Sequence, residues 1–276
     1  MKELQGKTVF ITGASSGIGW ETALAFARRG CRVAVAARRT EKLAELNKKL
    51  KELGADTLVL TCDVQKKGQV QDAVNKVVAR WGQLHILINN AGISDMHAFE
   101  TQDLDRLEDV YKTNILGTVY ASHAAIKHMR EKGEGHIVNV ASIAGLMGIP
   151  WMAVYSSSKF AMVGLTEGLR RELYGTGIRL TAFCPGTVDT AMAAEPLKDK
   201  KLRKRINPKT PQETAQRIVL AVERESPEVV FGEVSAFLLR SVKFIPRITD
   251  WIVHRIFSRI HPEVREILRG DRAASS

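Results

Sequence analysis

Two alternating patterns run through the chain. The runs KTVFIT, CRVAVAA, TLVLTCDV and LHILINN are short, apolar and rich in β-branched residues, the composition of strands buried on both faces of a sheet. Between them, apolar positions recur at helical spacing. They are Leu43, Leu46, Leu50 and Leu53 in TEKLAELNKKLKELG, with Gly54 as a C-cap, and Val70, Val74 and Val77 in KKGQVQDAVNKVVARWG. The alternation continues with a helix over about 104–131, the strand HIVNVAS, a helix on AVYSSSKFAMVGL, the strand IRLTAFC and a short edge strand EVVFG. Strand–helix–strand repetition with short spacers calls for parallel strands joined by right-handed crossovers. The predicted fold is α/β: a doubly wound parallel sheet with helices on both faces and a C-terminal helical appendage. No low-complexity linker divides it, so residues 1–234 read as one domain and 235–276 as an extension.

Composition narrows the class. Hydrophobic content of 45% and charged content of 26% are those of a soluble globular protein. MKELQGKTVFITG lacks the apolar core of a secretory signal, which points to the cytoplasm. Cys31, Cys62 and Cys184 each adjoin an apolar run without metal-ligand spacing and read as reduced, buried thiols. The histidines form no metal-like cluster, and His97 reads as a surface residue. The uncharged run over 137–158 has the length of a membrane span, but Asn139, Ser142, Gly145, Gly148 and Pro150 interrupt it. It reads as a buried strand emptying into a loop. The net charge of +11 suits an anionic cofactor, an anionic surface or solubility alone. With 6% aromatics and no nucleic-acid-binding signature, no nucleic-acid partner is expected.

The first strand runs directly into TGASSGIG at 12–19, which opens an amphipathic helix. In that setting the glycines have distinct tasks: Gly13 for the tight turn, Gly17 for close approach of backbone to a pyrophosphate, Gly19 for helix–strand packing. The helix N-terminus offers N–H groups and a positive dipole end to the phosphates. Thr12, Gly13, Ser15, Ser16, Gly17, Ile18 and Gly19 are therefore cofactor-contact candidates in a Rossmann-like fold. The second strand ends Ala36-Ala37-Arg38-Arg39, without the carboxylate that would accept a ribose 2′-OH. A guanidinium there suits a 2′-phosphate, so Arg38 and Arg39 favour NADP(H) over NAD(H). Asp63, with Val64 beside it, ends the third strand, where it can meet the adenine amino group or cap the next helix.

Tyr155 and Lys159 lie four apart in AVYSSSKF and so share a helix face. A nearby ammonium stabilises phenolate and lowers the phenol's pKa, which would let Tyr155 pass a proton to a carbonyl or take one from an alcohol. Ser142, ending the preceding strand, can donate to the same oxygen. The three intervening serines, Ser156, Ser157 and Ser158, read as small residues that leave room beside the cofactor.

Taken in order, Thr-Gly-x-x-x-Gly-x-Gly at 12–19, Asn-Asn-Ala-Gly at 89–92, Asn114, Ser142, Tyr-x-x-x-Lys at 155–159 and Pro-Gly at 185–186 resemble the single-domain short-chain dehydrogenase/reductases over about 7–232. The resemblance implies a catalytic tetrad of Asn114, Ser142, Tyr155 and Lys159. It implies that Lys159 also binds the nicotinamide ribose and that Asn114 helps hold a proton-relay water. Asn89, Asn90, Ala91 and Gly92 would support the central strand and line the cofactor. Pro185, Gly186, Thr187, Val188 and Thr190 would border its nicotinamide end. It further implies a homodimer or homotetramer built on the helices containing Asn114 and Tyr155, with Gly164 and Gly168 permitting close approach.

The resemblance makes the variable region over about 190–211 the part that closes over substrate. Its 195–209 portion carries seven basic and two acidic residues, suiting an anionic substrate, an acidic lipid or a solvated lid. In the extension, Phe237, Leu238, Val242, Ile245, Ile248, Trp251, Ile252, Ile256 and Ile260 alternate with Arg240, Lys243, Arg247, Arg255 and Arg259. Such a segment can cover an apolar entrance, pair subunits or rest peripherally on a membrane. The expected function is NADP(H)-dependent hydride transfer to or from a carbonyl or secondary alcohol on an apolar, lipid-, steroid- or ketone-like small molecule. The alternatives are reduction of 3-oxoacyl thioesters and a non-catalytic NADP-binding sensor or scaffold.

Overall fold

The computed structural model describes residues 1, 3–194, 196–198, 200–232, 240–241 and 244–260. Its strands are β1 (Thr8–Thr12), β2 (Arg32–Ala37), β3 (Thr57–Thr61), β4 (Ile86–Asn89), β5 (Gly135–Val140), β6 (Ile178–Pro185) and β7 (Glu228–Phe231). They form one sheet in the order β3-β2-β1-β4-β5-β6-β7, and every pairing is parallel. The late EVVF run is its edge, as the sequence predicts. The doubly wound expectation therefore holds.

Alternate strand residues feed two cores, as a period of two requires. Val9, Ile11, Val33, Val35, Ile86, Ile88, Val138 and Val140 face one side. There they meet helix α1 (Gly17–Ala27), helix α2 (Thr40–Glu52) and a helix over Pro211–Glu223, through Phe26, Leu43, Leu46, Leu50, Ile218 and Val222. Phe10, Ala34, Ala36, Leu60, Leu87, Ile137 and Leu180 face the other. That side is covered by helix α3 (Lys67–Trp81) through Val70, Val74 and Val77, and by a helix over Gly117–Lys132 through Ala121, Ala124, Ala125 and Met129. Leu53 departs from the predicted stripe. It is the C-cap of α2 and exposed, because Gly54 at φ +77° turns the chain before the stripe completes another turn.

The helix predicted over 104–131 is also modified. It comprises α4 (Leu104–Tyr111), a π-helical turn over Lys112–Leu116 and α5 (Gly117–Lys132). The π turn contains Asn114, and single π turns inside helices are frequent at functional sites. Further helices among the described residues are α6 (Ala153–Glu172), α7 (Lys200–Ile206), α8 (Pro211–Glu223) and α9 (Pro246–Ile260). Pro246, expected to interrupt the extension, stands at the first turn of α9, where a missing N–H costs nothing. Phe237, Leu238, Val242 and Lys243 lie outside the described residues. Among the described residues no helix is long and apolar enough to cross a membrane, and Cys31, Cys62 and Cys184 are free, buried thiols.

One buried histidine ties stability to pH. His136 on β5 is 1% exposed. Its Nε2 lies 2.8 Å from the Thr181 hydroxyl, which donates to the Ser226 carbonyl, so Nε2 carries the proton. Nδ1 has no partner among the described residues, and burial pushes the imidazole down to about 4. The folded value lies below the unfolded one, so this contribution is complete above about pH 6.5 and is lost as pH falls toward 4. Going from pH 7 to 5 should therefore cost about 2 kcal/mol through His136. Part-exposed His85, also lowered to about 4 by burial, adds loss in the same direction. Urea unfolding at the two pH values measures the loss. His136→Gln, which keeps a donor for Thr181, should flatten the dependence, and an unchanged slope in that variant would refute the assignment.

Candidate active site

The strand order reverses between β1 and β4, and at such a switch point a crevice forms at the carboxyl ends of the strands. The two strand ends are tied together there. The Thr12 hydroxyl oxygen accepts the N–H groups of Asn90 and Ala91, each at 3.2 Å. Asn90 Nδ2 donates to the carbonyls of Thr12 and Gly13, each at 3.1 Å. The fit leaves no space for side chains: a Cβ on Gly13 would lie 2.6 Å from Ala91 Cα, and one on Gly19 would lie 2.4 Å from Asn90 Nδ2.

This bracing fixes the N-terminus of α1. Its cap, Ser16, has extended backbone and accepts no helix N–H with its side chain, so the first-turn amides of Gly17, Ile18 and Gly19 face outward without intrahelical partners. Gly17 lies under the start of the lid, where its Cβ would be 3.1 Å from Thr190 Cγ2. Arg39 crosses over the loop, donating through Nε and Nη2 to Ser15 Oγ at 3.1 and 2.9 Å and through Nη2 to Ser16 Oγ at 2.7 Å. Arg38 is exposed beside it. Bare helix amides with guanidinium groups alongside form a donor set that fits a dinucleotide phosphate.

On the other side of the switch point stand the four tetrad candidates. β5 delivers Ser142, whose Oγ accepts the Ala144 N–H at 3.1 Å and forms a hydrogen bond with the Tyr155 phenol. α6 delivers Tyr155 and Lys159 one turn apart, with Lys159 Nζ 5.7 Å from the Tyr155 ring centroid. Nζ is buried and donates to the Val140 carbonyl at 2.8 Å, leaving two of its three donors for another acceptor such as a ribose hydroxyl. In the π turn, Asn114 is fully buried. Its Oδ1 accepts the Ile93 N–H at 2.9 Å, and its Nδ2 donates to the Ile93 carbonyl at 3.0 Å and to Ser158 Oγ at 2.9 Å. A Cβ on Gly92 would lie 3.3 Å from Asn114 Oδ1 and 3.6 Å from Lys159 Nζ. A side chain there would crowd both groups.

The electrostatics differ from the sequence expectation. Burial lifts the Tyr155 phenol above its ordinary value, and the Ser142 hydrogen bond opposes that rise. Lys159 is itself pushed down to about 8 by burial. Its ammonium donates to the Val140 carbonyl, and the net shift of the phenol is upward where the sequence reading expected a downward one.

The three serines differ as well, for their hydroxyls are anchors. Ser156 Oγ accepts the Ile149 N–H at 3.1 Å, holding the loop after Ser142. Ser157 donates to the Val154 carbonyl at 2.8 Å and lies 2.6 Å from the Tyr111 hydroxyl. Ser158 donates to the Tyr155 carbonyl at 2.7 Å while receiving Asn114.

The outer candidates are placed as follows. Asp63 Oδ1 accepts the Gln65 N–H at 3.1 Å, a local turn before α3 in place of a cap. Val64 is buried against Gly117. Pro185 ends β6, and Gly186 donates to the Phe231 carbonyl at 2.7 Å. Thr187 and Val188 pair with Lys209, and the Thr190 hydroxyl donates to the Val188 carbonyl. His97 is exposed beside Asp95. Sequence reasoning took Asn139 only as an interruption of the apolar run and missed its task. It is buried, accepts from Asn89 at 2.8 Å and donates to the Thr166 hydroxyl at 2.9 Å, locking β4, β5 and α6 together. Its polar character within an apolar strand was the available signal.

The sequence and fold are similar to those of known proteins. The family described as short chain dehydrogenase matches residues 7–201. An uncharacterized oxidoreductase of Staphylococcus saprophyticus is 37% identical over 82% of this chain and 95% of its own. The ketoacyl reductase HetN of Nostoc is 31% identical over 93% of this chain and 90% of its own. Among solved structures, a short chain dehydrogenase/reductase from Burkholderia phymatum in complex with NAD superposes with a TM-score of 0.77 at 28% identity, covering 83% of this chain and 90% of that one.

Proposed function

The chain belongs to the short-chain dehydrogenase family of oxidoreductases, and from that premise we propose that it uses NADP(H) to interconvert a carbonyl and a secondary alcohol on an apolar small molecule. The observation that carries the reading is the convergence of the Ser142 hydroxyl, the Tyr155 phenol and the buried Lys159 ammonium at one strand–helix junction. The nicotinamide, when bound, would supply or accept the hydride. The α1 amides and the Arg38–Arg39 pair would hold its phosphates, and the free donors of Lys159 its ribose.

The protein's own groups manage the proton. A phenol lifted by burial stays protonated at neutral pH, as a general acid for carbonyl reduction must. Ser142 spends an acceptor site on the Ala144 N–H, and with substrate bound its hydroxyl proton would turn from the phenol to the oxygen on which charge develops. A water held between Lys159 and Asn114 would be a route for replacing the proton Tyr155 gives up. Oligomer formation through α5 and α6 belongs to the same reading. A Cβ on Gly164 or Gly168 of α6 would meet nothing within 4 Å, so that surface is open to a second copy.

A narrower substrate, a 3-oxoacyl thioester, is favoured by the likeness to HetN together with exposed Lys198, Lys200, Arg203 and Lys204 in the lid. The test is consumption of NADPH with a panel of apolar ketones and one 3-oxoacyl thioester. Turnover of at least one is expected, and selective turnover of the thioester would establish the narrower reading. Tight NADPH binding with no turnover across the panel would leave the protein a sensor and overturn the proposal.

A further inference from the structure

Helix α9 wears its apolar side outward. Pro246, Thr249, Asp250, Val253 and His254 border a cavity of about 740 Å³ shared with the Met147–Trp151 loop and the Ser156–Ser157–Phe160 side of α6. The opposite side carries Ile245, Ile248, Trp251 and Ile252, with Trp251 60% and Ile248 55% exposed, and Phe244 just before the helix is 87% exposed. A surface helix ordinarily turns its apolar stripe to the core and its polar residues to water. Here Thr249, Asp250 and His254 border the cavity, Asp250 and His254 remaining exposed, while the larger apolar groups point away from it.

The stripe is contiguous, because positions 245, 248 and 252 fall on one helical face, with Trp251 flanking it. Arginines accompany it. Arg247 and Arg255 are exposed, and the Arg255 guanidinium stacks over the Trp251 ring at 5.4 Å. Between Arg240 and Ile260 the sequence has five basic residues and one acidic, in a chain of net charge +11.

We propose that this face docks on an anionic lipid surface, with α9 lying flat in the headgroup layer. An apolar stripe with a tryptophan and bordering arginines satisfies both parts of that environment, acyl chains below and phosphates around. Charge selects this occupant over a second copy of the chain. Two such faces brought together would set Arg247 and Arg255 against their equivalents, within a pair already carrying twice +11. No described helix can cross a bilayer, so the contact is peripheral.

Co-sedimentation with phosphatidylcholine vesicles, with and without phosphatidylserine, tests the proposal. The protein should bind the anionic vesicles at least roughly tenfold better than the neutral ones and release in high salt. Ile248→Asp/Ile252→Asp should lower that binding roughly tenfold or more while thermal unfolding and turnover of a water-soluble ketone stay unchanged. Arg247→Glu/Arg255→Glu should do the same with the apolar face intact. Equal binding to both vesicle types, or undiminished binding by either variant, overturns the proposal. So does a concentration-dependent dimer that Ile248→Asp/Ile252→Asp abolishes in a protein that ignores vesicles.

Discussion

Tyr155→Phe should lower kcat for carbonyl reduction by about 10²–10⁴-fold, the usual contribution of a positioned general acid, with NADPH affinity unchanged. The substitution deletes one oxygen and keeps the ring that lies 5.7 Å from Lys159 Nζ, so packing survives. Ser142 remains to donate to the carbonyl, which is why residual turnover persists. Burial holds the phenol above its ordinary value of about 10, so wild-type reduction should be flat across neutral pH. Alcohol oxidation, which needs the phenolate, should climb toward alkaline pH. Lys159→Met is the informative contrast, because it removes donors proposed for the ribose and should weaken NADPH binding as well as kcat. Titration of cofactor fluorescence and steady-state rates separate the two effects. Wild-type turnover by Tyr155→Phe would show that the proton comes from elsewhere.

The strands and most helices were legible because buried parallel strands are nearly all apolar and their crossover helices carry one clean stripe. Val70, Val74 and Val77 came through for that reason, and all three are buried. What was hidden depends on contacts between distant segments. The π turn over Lys112–Leu116 leaves the apolar spacing of its helix almost unaltered, and its cause is tertiary: Asn114 must reach both Ile93 and Ser158. Ser156 and Ser158 read only as small residues that leave room for the cofactor because a hydroxyl's partner does not show in local sequence; only the fold brings Ile149 and Asn114 to them. Leu53 kept the helical period but not the helix. The candidate site was legible as residue types at fixed spacing, whereas its electrostatics were not. Which acceptor the Lys159 ammonium takes depends on where Nζ points, and it points to Val140. The facing of α9 was illegible for a similar reason, since a helical stripe specifies a face without saying which way it turns.

Arg39→Ala should raise the KM for NADPH by about ten- to a hundredfold, the worth of one charge-assisted contact of about 1.5–3 kcal/mol. The KM for NADH should stay where it is. Arg39 lies across the phosphate loop, bonded to Ser15 and Ser16, where its guanidinium can meet a 2′-phosphate that NADH lacks. β2 ends without a carboxylate, the group that would accept a ribose 2′-OH and repel a phosphate. Wild-type protein should accordingly prefer NADPH, and Arg38→Ala, removing the exposed neighbour, should show a smaller loss of the same kind. A bracing role for Arg39 makes a different prediction. The hydrogen bonds to Ser15 and Ser16 would then hold the loop that both cofactors use, and the substitution would weaken NADH and NADPH alike. The ratio of the two kcat/KM values therefore decides between phosphate recognition and loop support. A wild-type preference for NADH, the cofactor held by the Burkholderia phymatum structure, would overturn the assignment of both arginines.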